Sequence, residues 1–101
     1  MDIEFADERL ALIETEGAAE TGLPVAVIQT SRQRLNIMRA APDVRTLHNW
    51  KSLGLQPRPE LEDHLVMMPP QWAMVVRIIE KNSVMTVVVT AVEQQLRGAV
   101  A

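Results

Sequence analysis

The chain has no cysteine, which rules out a disulfide framework and a thiolate metal site and leaves nothing pointing to an oxidising compartment. The first residues, Met1-Asp2-Ile3-Glu4-Phe5, carry two acids and neither lysine nor arginine, so no basic n-region of a targeting segment is read in them. No apolar run approaches the roughly 18 residues of a membrane span. A cytoplasmic protein is the expectation. An excess of positive charge is missing too: the formal charge of -3 disfavours a general attraction to nucleic acid, because lysine and arginine contacts to phosphate supply most of that affinity. Only four glycines occur, none followed by Lys-Ser or Lys-Thr, so there is no phosphate-cradling loop. His48 and His64 stand far apart with no shared ligand motif, so no metal site is read from them, and no cofactor is expected.

What is present is the composition of one globular domain. At 101 residues, 48% of them hydrophobic and 23% charged, the chain can offset the entropy of ordering a single core but is too short for two. Residues 1–95 are read as that domain and 96–101 as a tail. Ile3 and Phe5 alternate with Asp2 and Glu4, which predicts a short strand, and Asp7 is placed to cap a helix over Glu8 to Thr15. Gly17 and Gly22 bracket the loop expected next. A second helix starts at Pro24 with the stripe Val27, Ile28, Ser31, Leu35 and Met38 on one side, opposite Gln29, Arg32, Gln33, Asn36 and Arg39. Pro42 ends it, and Asp43 to Leu47 fits one further turn.

From Leu55 onward the chemistry changes: Gln56-Pro57-Arg58-Pro59 cannot belong to an interior strand or helix, the next apolar run is His64 to Met68, and Pro69-Pro70 separates that run from the next. Residues 71 to 80 place Trp72, Met74, Val76 and Ile78 on one face. Residues 84 to 92 place Met85, Val87, Val89 and Ala91 on one face, and Lys81-Asn82-Ser83 makes the hairpin loop between the two strands. Helices first and hairpin-linked strands later give an α+β domain, helices packed on one face of a twisted, mainly antiparallel sheet. The expected core is Phe5, Leu10, Ile13, Ile28, Leu35, Met38, Leu53, Trp72, Met74, Val76, Ile78, Val87 and Val89.

Five stretches, Met1 to Asp7, Arg39-Ala40-Ala41-Pro42-Asp43, Lys51-Ser52-Leu53, Gln71-Trp72 and the closing valine-rich strand, resemble in wording and order the HigB-like branch of the HigB/RelE plasmid-maintenance killer toxins. The resemblance covers roughly residues 1 to 95. It implies a RelE/HigB-like fold and a type II toxin–antitoxin protein: a ribosome-dependent endoribonuclease, or mRNA interferase, restrained by a small antitoxin that also binds operator DNA. Such cleavage drives a ribose 2′-hydroxyl onto the adjacent phosphate and needs a base, an acid and cations. The family draws these from a basic loop, arginines along one strand, an arginine after the Gln-Trp pair and a terminal Asp-Tyr-His.

Each of those positions is altered here. Ala73 follows Gln71-Trp72, the strand before it reads His64-Leu65-Val66-Met67-Met68, and the chain from Glu60 to Val76 holds neither lysine nor arginine while Glu60, Glu62 and Asp63 add negative charge. Ala91-Val92-Glu93-Gln94-Gln95 stands in place of Asp-Tyr-His, and glutamine cannot take a proton near neutral pH. The remaining candidates for chemistry are His64, Arg58 and Gln94, and for RNA contact Lys51 and Arg58. Against them stand ordinary roles, an edge-strand histidine and isolated surface cations. Trp72 is expected to fill the core. Leu65, Val66, Met67 and Met68, flanked by acids, are expected to form a partner-binding surface with an apolar centre and an acidic rim.

Three functions compete at this point. One is a divergent toxin that still inhibits translation as an endoribonuclease with relocated residues. Another is a degenerate toxin fold acting through a protein partner, for which a small antitoxin with a DNA-binding domain is the nearest example, with ribosome and messenger RNA less favoured. The third is an antitoxin-paired remnant that only supports co-repression.

Overall fold

A computed structural model describes residues 1–95, and the tail expected at 96–101 lies outside the described residues. In chain order it forms β1 (Asp2–Phe5), α1 (Glu8–Ala11), 3-10 segments at Leu12–Glu14 and Glu16–Thr21, α2 (Val25–Ala40), α3 (Val44–Asn49) and a 3-10 turn at Lys51–Leu53. β2 (Leu55–Arg58), a 3-10 turn at Pro59–Leu61, β3 (Asp63–Met68), β4 (Trp72–Lys81) and β5 (Val84–Gln94) follow. The strands make one sheet in the order β1-β5-β4-β3-β2, with β1 parallel to β5 and every other pairing antiparallel. The α+β architecture is therefore the one expected. No helix among the described residues is long and apolar enough to cross a membrane.

Local chemistry explains most element boundaries. Asp7 sits in extended backbone and accepts from the Arg9 N–H at 2.8 Å, satisfying one of the free donors at the start of α1. α1 is shorter than the helix expected over Glu8 to Thr15. Thr15 is extended and turns its hydroxyl onto the Gly17 N–H at 3.1 Å, so a local side-chain bond competes with helix continuation and starts the 3-10 segment that replaces the expected loop. Arg32 of α2 fastens this region by donating from Nε to the Ile13 carbonyl at 2.6 Å and from Nη2 to the Thr15 carbonyl at 2.9 Å. Pro42 breaks α2 after Ala40, and the Asp43 carboxylate accepts from the Thr46 N–H at 2.8 Å to open α3.

The buried residues of α2 are Val27, Ile28, Ser31, Leu35 and Met38, the stripe read from the spacing. They pack with Ile13, Leu47 and Leu53 onto Val66, Met68, Met74, Val76, Val87 and Val89 of the sheet, while Phe5, Leu10, Trp72 and Ile78 are half-buried at the margin. β2 is an edge strand, which is where Pro57 costs no ladder bond. At the β4–β5 hairpin Asn82 and Ser83 have φ of 52° and 66°, the double left-handed geometry of a tight turn that follows the strand twist.

One register expectation fails. Val76 faces Val89 but Val75 faces Ala91, so Thr90 is an extra residue in β5. This β-bulge turns Ala91 away from the core and brings Val92 into it, whereas simple alternation had put Ala91 beside Val87 and Val89.

Candidate functional site

The sheet has one face under the helices and one without them. On the second face Leu65, Ala73 and Val75 are buried, with Met67 and Ala91 packed against them, and none of the five comes from a helix. Cross-strand pairing puts Gln56 beside Leu65 and Arg58 beside Asp63, Leu65 beside Val75, Met67 beside Ala73, and Ala73 beside Glu93. Ala73, directly after Gln71-Trp72, therefore lies on this open face.

The cations on it among the described residues stand beside carboxylates. Arg58 donates from Nε and Nη2 to the two Asp63 oxygens, both at 2.8 Å, a two-pronged pair that holds the Asp63 carboxyl below the usual carboxylate range and keeps the guanidinium charged. Arg77 faces Glu62 at 3.6 Å, and Lys81 donates to Glu4 at 2.8 Å. Among the described residues, each lysine or arginine that strand alternation places on this face, Arg58, Arg77 and Lys81, has a carboxylate partner. A phosphate arriving here would have to displace those carboxylates.

The sequence-derived candidates do not converge. Arg58 lies on the open face, while His64 and Gln94 alternate onto the helix side of β3 and β5. Gln94 pairs with Trp72 and His64 with Val76, positions four residues apart along β4 and on its two opposite neighbours. Lys51 is exposed in the 3-10 turn before β2. Among the described residues these candidates do not surround a common point.

The expected partner-binding patch is corrected by burial. Val66 and Met68 are 0% and 1% exposed in the main core because they alternate onto the helix side, and no partner can reach them without unfolding the domain. Leu65, on the open side, is itself buried beneath its neighbours, which leaves Met67 as the one of the four with accessible surface. The run His64 to Met68 has apolar residues at both parities, so period two was silent about which face was which.

A contact that the sequence did not signal joins His48, at the end of α3, to His64. The ring centroids are 5.3 Å apart at an interplanar angle of 61°. His64 Nδ1 is buried with no hydrogen-bond partner. Burial, and then the neighbouring His48, push His64 protonation below the ordinary imidazole range, against a smaller opposite pull from Asp63. Rings in contact leave no room for a phosphodiester between them, so the pair is not arranged as an acid and base flanking an RNA bond.

Comparison of the chain with protein-family models, with curated proteins and with solved structures finds no match.

Proposed function

We propose that this chain is a RelE/HigB-like toxin-family protein of a type II toxin–antitoxin pair that has lost the RNA-cleaving chemistry and acts by binding a protein, with a small antitoxin as the partner. The observation that carries the reading is the state of the open sheet face: Leu65, Met67, Ala73 and Glu93 stand along it, and its arginines and lysine are each tied to a carboxylate. Loss of a transition-state cation or of a general base each costs about 100-fold or more in rate, and neither is replaced by a converging set of side chains. What remains suits a polypeptide. Met67 and Ala91 supply apolar contact at the centre, Ile79 and Val84 extend it as exposed apolar residues, and charged pairs form the rim.

The deciding experiment has two arms run on the full chain. In a translating-ribosome assay the protein leaves messenger RNA intact, and co-expressed with the product of an adjacent small reading frame it co-purifies as a complex that Met67→Arg disrupts. Codon-linked cleavage that disappears in His64→Ala or Arg58→Ala would replace this reading with that of an endoribonuclease with relocated residues. A complex indifferent to Met67→Arg would move the interface off the open face.

A further inference from the structure

The two edges of the sheet are not alike. β1 carries Asp2 and Glu4, and the Met1 ammonium before it is held by the Arg39 and Ala41 carbonyls at 2.9 and 2.8 Å. Two copies meeting along β1 would set acid against acid. β2, at the other end of the sheet, is flanked by turns of opposite charge. Lys51 stands exposed before it beside Trp50, and Glu60 stands exposed after it beside Leu61. Trp50 and Leu61 are 36% and 57% exposed, large apolar groups left in water at the two ends of one strand. Among the described residues Lys51 has no carboxylate partner and Glu60 no cation, unlike Arg58 between them, which holds Asp63.

The backbone of β2 also has bonds to offer. The Met67 N–H donates to the Gly54 carbonyl at 3.0 Å, and Leu55 is paired with Val66 next to it. The bonding direction alternates along an antiparallel strand, so Gln56 and Arg58 turn their amide groups to β3. The Leu55 N–H and the carbonyls of Leu55 and Pro57 therefore point outward, and Pro57 has no N–H to leave unpaired there.

We propose that β2 is a dimerisation edge, along which a second copy of this chain lies antiparallel across a two-fold axis near Gln56. A strand paired with its own copy in this way sets its beginning against the other's end. The Lys51–Leu53 turn of each copy then comes beside the Pro59–Leu61 turn of the other, where Lys51 meets Glu60 and Trp50 covers Leu61, twice over by symmetry. The Leu55 N–H of each copy donates to the Pro57 carbonyl of the other. One backbone donor per strand makes a short ladder, which is how an edge proline restrains open-ended strand addition. The reciprocal charges then select a second copy over an unrelated strand. Extension of the sheet sideways covers neither of its faces, so the open face stays accessible to a different protein.

Sedimentation velocity of the full chain over a dilution series is expected to show a reversible monomer–dimer equilibrium that weakens as salt is raised. Lys51→Glu and Glu60→Lys, both at exposed positions, each lower the association constant by about tenfold, and the double variant restores it because the charges have only changed places. Gln56→Cys gives a second readout in a chain that has no cysteine of its own. Across the axis Gln56 faces its own copy as a non-hydrogen-bonded pair, with Cα atoms about 4.5 Å apart, so mild oxidation links two chains through that cysteine. A chain that stays monomeric at every concentration would overturn the proposal, as would a dimer indifferent to both single charge changes. Failure of the double variant to recover, or of Gln56→Cys to cross-link, would overturn it equally, by moving the two-fold axis off β2.

Discussion

Ser83 occupies the second central position of the β4–β5 turn at φ 66°, a conformation that costs an L-residue other than glycine or asparagine about 1 kcal/mol. Its side chain is exposed, so Ser83→Gly removes that strain without removing packing. The expected outcome is a stabilisation of about 0.5–1 kcal/mol, read as a higher urea midpoint at unchanged slope; a lower midpoint would show that the turn does not have this geometry. Asp43 is a second residue with a readable role. Its carboxyl is held below its ordinary range by the Thr46 N–H, then by the Thr46 hydroxyl. Because the folded-state value is the lower one, the stabilisation is present above the unfolded value of about 3.9 and disappears as pH falls through the folded value. Asp43→Asn and the parent therefore differ in melting temperature at pH 7 and converge under strongly acidic conditions. A gap that persists at low pH would assign the capping to something other than the ionised carboxylate.

At the scale of elements, the bulge in β5 and the two faces of β3 make separable predictions. Thr90 is supernumerary in the β4–β5 ladder, so deleting it leaves Val89 and Val92 on the core side and Ala91 on the other, now in regular alternation. Deleting Val88 instead shifts the register by one and turns alternate side chains to the wrong face. The Thr90 deletion is expected to retain a cooperative unfolding transition and the Val88 deletion to lose it. For β3, Val66→Arg puts an unpaired charge into a site that is 0% exposed and prevents folding, whereas Met67→Arg, on the accessible side, changes stability by no more than about 1 kcal/mol. Equal tolerance of both changes, measured by thermal unfolding, would contradict the assigned register. Much of this level was legible beforehand: the α2 stripe is the observed buried set because a 16-residue helix with one wet side has a single solution. Less legible was β3, whose apolar residues at both parities give no period to read.

At the scale of the whole molecule, a net charge of -3 and the pairing of the open-face cations act in the same direction. Affinity for RNA is expected to be negligible near 0.1 M salt, where the Debye length is about 10 Å and unpaired basic clusters are needed to hold a polyanion. Fluorescence anisotropy with a short single-stranded RNA tests this. Tight binding that weakens steeply as salt is raised would mean that the carboxylates release their arginines, and it would restore RNA to the list of partners.

The division between sequence and tertiary structure follows from the range over which each kind of information acts. Periodicity, caps and prolines are local, so the sequence by itself determined the α2 stripe, the exclusion of the Pro57 segment from the sheet interior and the hairpin at Lys81-Asn82-Ser83, whereas the edge strand β2 and the 3-10 segments carry no such local signal. It also determined that cations are absent from Glu60 to Val76. Which side of β3 meets the helices, the extra residue at Thr90, the engagement of Arg77 and Lys81 by Glu62 and Glu4, and the meeting of His48 with His64 were decided only when the strands paired and α3 packed beside β3. Those contacts join residues from different elements, and no spacing within a single segment encodes them.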